Sequence, residues 1–174
     1  MKIRADLHVN GEHRKLYLVG GPNETDEHVA HRLAGCLLFW KDEPILDASP
    51  KLPALAAFDF MPDLLALDAA GDIKLWAELG PVTRNMLTKI TRRAPRARVV
   101  IVKENERDAA RLRRELDEQF DRAERVEILA WPGRSFRDWC AVVADKTEAY
   151  GEADGRMINA VVNETPVLVE FQTV

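Results

Sequence analysis

The chain is 174 residues long, 47% hydrophobic and 31% charged, with a formal net charge of −4. That length suits one domain able to bury most of its surface, and the acidic balance excludes a protein that coats nucleic acid through bulk charge. No stretch approaches the ~18 apolar residues a membrane helix needs, and the ordinary glycine and proline content excludes a disordered or fibrous chain.

Residues 1–20 read as a β-hairpin. Ile3, Ala5, Leu7 and Val9 alternate with polar residues, Asn10-Gly11 supplies the turn, and Leu16 and Leu18 lie on the return strand. The same alternation leaves no continuous apolar run at the N-terminus, so a secretory leader is not expected. Asn23 to Asp26 offers caps and first-turn acids for a helix to about Trp40, with Val29, Leu33, Cys36, Leu37 and Trp40 at helical spacing. Lys41 to Pro53 is a polar loop. Two apolar runs, Phe60 to Leu67 and Ile73 to Leu79, flank Asp68-Ala69-Ala70-Gly71-Asp72 and predict a hairpin buried on both faces.

Pro81 can open the next helix, whose core side is Met86, Leu87, Ile90 and Ala94, and Pro95 ends it. Val99 to Val102, Arg107 to Phe120 and Val126 to Trp131 read as strand, helix and strand, the spacing of a parallel crossover. A helix from Phe136 to about Ala149 and a hairpin, Met157 to Val162 against Val167 to Val174, complete the chain. The expectation is a single α/β domain over residues 1–174, a mixed central β-sheet flanked by helices with hairpins at both ends. Cys36 and Cys140 lie in separate apolar helical patterns; buried free thiols are expected of both, which suits a cytoplasmic protein.

Two acids stand out. Asp63 follows Pro62 in one apolar run, and Glu78 sits near the end of the next. An ionised carboxylate there costs several kcal/mol without a partner. A turn with an even number of loop residues sets Asp63 directly across from Glu78 on one face. Opposed like charges destabilise a sheet, and a hard divalent ion between them reverses that sign. A three-residue loop without a bulge pairs Asp63 with Ala77 instead and sends the acids to opposite faces. The other reading of these residues is structural: Asp63 satisfies a backbone turn, and Glu78 pairs with an arginine at the sheet edge.

Pro62-Asp63, a hairpin, and then Trp76-Ala77-Glu78-Leu79-Gly80-Pro81 resemble the Pro-Asp and Trp-x-Glu-x-Gly strands of the YaeQ family. Asn23-Glu24-Thr25-Asp26-Glu27 before Arg32-Leu33 resembles that family's first-helix entrance. The likeness follows element order along the chain and is motif-level between Glu24 and Val102. It implies a fold similar to the PD-(D/E)XK nucleases, which cut phosphodiesters with Mg²⁺. Asp63 and Glu78 would then hold Mg²⁺, and Glu27 would add a further carboxylate from the first helix. The nuclease pattern carries a lysine two residues after the second acid, where this chain has Gly80. Lys74 is ~13 Å along the strand from Glu78 and cannot replace it. Lys89, on the following helix, is the candidate stabiliser, against the reading that it is a solvated surface residue.

From Arg84 to Arg98 there are six basic residues and no acid. Lys89, Arg92, Arg93 and Arg96 fall on one side of a helix and are candidate contacts to a phosphate backbone, the last three above all. His28 and His31 share a helical face but lack the full metal-binding motif. The leading expectation is a metal-dependent phosphodiesterase or nuclease with Asp63, Glu78 and Lys89 as its working residues. The alternatives are a non-catalytic nucleic-acid-binding module on the same fold and a protein-interaction domain using an exposed edge strand.

Overall fold

Alternation with period two and an Asn-Gly turn produce the first hairpin, β1 (Lys2–Val9) and β2 (Glu12–Val19), with Asn10 and Gly11 both at positive φ. Thr25 caps α1 (Asp26–Leu38) by accepting from the His28 N–H. That helix is buried on nearly every side from Val29 to Leu38 rather than along one stripe. Its two buried polar side chains are held: His31 Nε2 accepts from Trp131 Nε1 at 2.9 Å, and Arg32 pairs with Glu24 at 3.2 Å.

In the computed structural model, which describes residues 1–174, the chain divides into two compact units. The first is Met1–Lys41 with Trp131–Gln172. It contains α1, α4 (Ser135–Val142), and strands β8 (Lys146–Ala153), β9 (Met157–Val162) and β10 (Thr165–Glu170) in a five-stranded sheet of order β10-β9-β8-β1-β2. All its neighbours are antiparallel except β1 and β8.

The segment expected as one helix from Phe136 to Ala149 is corrected here. It stops at Val142, and residues 146–153 form the central strand β8. Lys, Glu and Ala favour helices, but Thr147, Ala149 and Ala153 alternate inward while Lys146, Glu148, Tyr150 and Glu152 do not. Pairing on both edges overrides the weak local preference. At Gly151 the neighbouring strand approaches so closely that a Cβ would lie 2.2 Å from the Asn159 carbonyl oxygen.

The second unit is Asp42–Ala130 with Thr173–Val174. It holds short β3 (Ile45–Leu46), β4 (Leu64–Leu67), β5 (Ile73–Glu78), α2 (Arg84–Arg93), β6 (Arg98–Lys103), α3 (Glu106–Gln119) and β7 (Val126–Ala130). Its sheet runs β11-β7-β6-β5-β4-β3, with β11 being Gln172–Thr173. β5, β6 and β7 are parallel, and β3, β4 and β5 are antiparallel. The architecture is mixed α/β, as expected, with the strands shared between two sheets. Leu65, Trp76, Val99 and Val126 line up across four strands and join Leu87, Ile90, Ala109 and Leu116 of the helices in one core. Both faces of β5 are covered, apart from Lys74. No helix is long and apolar enough to cross a membrane.

Candidate metal and phosphate site

The hairpin of β4 and β5 decides where the acids point. Asp68 accepts from the Gly71 N–H, and Gly71 takes φ +85°, so the turn itself has three residues. Continued regularly, that turn would set Asp63 against Ala77. Instead Leu67 pairs with Ile73 and Ala66 with Leu75, leaving Lys74 as an extra residue. This bulge advances the register by one, so Leu64 faces Ala77 in the last pair of the ladder, and Asp63 is the bend residue just before β4. Lys74 leaves the ladder outward, with its ammonium 3.0 Å from Asp42.

Both carboxylates gather at the end of β5. Asp63 Oδ2 accepts from the Leu79 N–H at 2.7 Å, and Glu78 Oε1 accepts from Trp76 Nε1 at 2.7 Å. Glu78 is 5% exposed and Trp76 is fully buried, with Phe58 and Phe60 rings 4.6 and 5.6 Å away. These donors fix the rotation of each carboxylate.

Sequence reasoning did not find Lys103, the last residue of β6. Glu78 is paired with Ile101, so Lys103 lies two residues further on the same face. Its Nζ donates to the Gly80 carbonyl at 3.0 Å. Burial pushes the Lys103 ammonium below the usual lysine range, while Asp108, Glu104 and Glu78 act in the opposite direction. The Lys103 ammonium thus lies against the backbone of residue 80, where this chain has glycine. A cleft of about 610 Å³ opens beside it at the carboxyl ends of β5 and β6, lined by Gly80, Pro81, Lys103, Asp108 and Arg111 among others. In open α/β sheets, ligands bind at that end of the parallel strands.

The other residues singled out from the sequence make contacts of their own. Lys89 is turned to Asp59, with Nζ 2.9 Å from both carboxylate oxygens, and this contact holds the Asp59 carboxyl below its ordinary range. Arg92 and Arg93 are exposed in the last turn of α2, where Arg93 donates to the Ala57 carbonyl. Arg96 lies beyond the helix, which ends at Arg93, and pairs with Asp72 at 3.0 Å, so the basic face expected to run through it is shorter. Glu27 is exposed in the first turn of α1, in the first unit.

Comparison with known proteins gives a consistent result. The family model described as "YaeQ protein" matches residues 5–155. Two solved structures are similar. The YaeQ protein from Xanthomonas axonopodis pv. citri is 18% identical with a TM-score of 0.74, covering 99% of this chain and 96% of that one. The YaeQ protein from Pseudomonas syringae is 15% identical with a TM-score of 0.76, covering 99% and 94%. At these identities the likeness concerns the fold. No curated protein matches.

Proposed function

The chain belongs to the YaeQ family, and from its site geometry we propose that it is a metal-dependent phosphodiester hydrolase of the PD-(D/E)XK type. The observation that carries this reading is that Asp63 and Glu78 are both held at the end of β5, Asp63 by the Leu79 N–H and Glu78 by Trp76, with Glu78 buried and Lys103 on the neighbouring strand. Two carboxylates at one strand end suit a hard divalent cation such as Mg²⁺, and Asp63 and Glu78 are the residues that would hold it. When bound, such an ion polarises a phosphoryl oxygen and lowers the pKa of an attacking water.

The chain's own groups divide the remaining work. Trp76 and the Leu79 N–H keep the carboxylates in place. Lys103, half-desolvated, offers positive charge to a phosphate as negative charge builds on it, the role expected of Lys89 from the sequence. The ammonium of Lys89 is engaged by Asp59 instead. A second reading, a non-catalytic nucleic-acid-binding module, draws on exposed Arg92, Arg93 and Arg96.

One assay separates them. Single- and double-stranded DNA and RNA are incubated with the protein and millimolar Mg²⁺ or Mn²⁺. Metal-dependent cleavage that disappears in Asp63→Ala is the expected result. Salt-sensitive binding without cleavage supports the second reading, and no cleavage together with no Mg²⁺-induced rise in Tm overturns the first.

A further inference from the structure

We propose that Asp6, His8 and His13 form a binding site for a borderline divalent transition ion, of the Zn²⁺, Ni²⁺ or Cu²⁺ class, on the open side of the first hairpin. The hairpin dictates the arrangement. Its two-residue turn makes Val9 and Glu12 the closing pair and sets His8 directly opposite His13. In such a hairpin the second pair is not hydrogen-bonded, so its side chains stand closest together, with Cα atoms ~4.5 Å apart. Asp6 lies two residues earlier and shares their face.

The side chains converge as the backbone suggests. The candidate ligand atoms of the three residues all lie within 4.8 Å of one another. Both imidazoles address one oxygen: Asp6 Oδ1 is 2.5 Å from His13 Nε2 and 3.3 Å from His8 Nε2. The His8 ring stacks on His13 at 4.2 Å and on Tyr150 of β8 at 4.7 Å, which orients it from both sides. All three residues are about 40–46% exposed, so solvent can complete the coordination shell. Two imidazoles and one carboxylate suit borderline ions, whereas the all-oxygen pair of the second unit suits Mg²⁺.

The frame is already in place before any ion arrives. β1 is paired on both edges, to β2 and to β8, so the backbone that carries the ligands is held in register. The His13 bond to Asp6 holds that carboxyl below its usual range. The other ionisable groups beside the cluster are Lys15 on β2, 3.9 Å from Asp6 Oδ2, and Tyr150 and Glu148 on β8.

The test is calorimetric titration of untagged protein with ZnCl₂ and NiCl₂ near neutral pH. One equivalent is expected to bind. His8→Ala with His13→Ala should weaken it by more than ~100-fold, since even groups behind the ligands are worth 10–100-fold. Asp63→Ala should leave it unchanged. These substitutions are on an exposed face, and circular dichroism checks that the fold persists. No binding by the wild type, or equal binding by the double variant, overturns the site.

Discussion

The two sheets handle charge in opposite ways. In the first unit, ionisable residues on β1, β2 and β8 stand on an open face, where water solvates them and their pairing adds little to stability. In the second unit, β5 is covered on both faces, yet Glu78 lies within it, with Asp63 bonded to the next residue and Lys103 on the neighbouring strand. Charge on the open face is cheap to keep; charge inside the covered sheet persists only if held by bonds, an ion or a use. The contrast separates the two sites by chemistry as well as by burial, oxygen ligands inside and imidazoles outside.

Three substitutions sharpen that contrast, in order of decreasing effect. The first sheet is most vulnerable to sterics. Gly151→Ala drives a methyl into the Asn159 carbonyl, and about 3 kcal/mol of destabilisation is expected. That corresponds to a Tm lower by roughly 6–12 °C in thermal melting. A melt within 2 °C or so of wild type would show that β8 and β9 can separate at little cost.

The second sheet is most vulnerable at its polar anchors. Trp76→Phe keeps an aromatic side chain but removes the indole N–H that bonds Glu78 and leaves a small void in a fully buried site, at about 2 kcal/mol in all. Urea unfolding should show the loss as a lower midpoint at unchanged slope. An unaltered midpoint would mean that the indole is not what steadies Glu78.

Lys103→Met has the smallest effect on stability and the most informative sign. The lysine's folded-state pKa is lowered by burial, so its charge costs stability below that pKa, and the cost fades as pH rises through it. The variant should therefore melt no lower than wild type near neutral pH, with any advantage shrinking in alkali. Phosphodiester cleavage should fall sharply even so. A variant that loses stability and keeps activity would remove Lys103 from the site.

Much of the fold was legible because local patterns were unambiguous. The Asn10-Gly11 hairpin, the Val99–Val102 and Val126–Trp131 strands and the helix between them all appear where periodicity put them. β8 was not legible, since its inward residues are only Thr, Ala and Gly and its residue types favour a helix. The acids were visible as charges in apolar runs. Lys103 was not, because it reads as the polar end of a strand. Its nearness to Glu78 depends on a parallel register set across the whole of α2, and no short-range signal encodes that.

The bulge at Lys74 means that length and identity are not interchangeable in this hairpin. Removing Lys74 altogether would straighten the strand while every opposed pair beyond it, Leu64 with Ala77 included, kept its partner. Drawing Lys74 into the ladder would slide the whole strand by one and turn Glu78 away, with neither acid mutated. A relative that kept both acids and the same spacer length but lacked the bulge would therefore have an intact motif and a dismantled site.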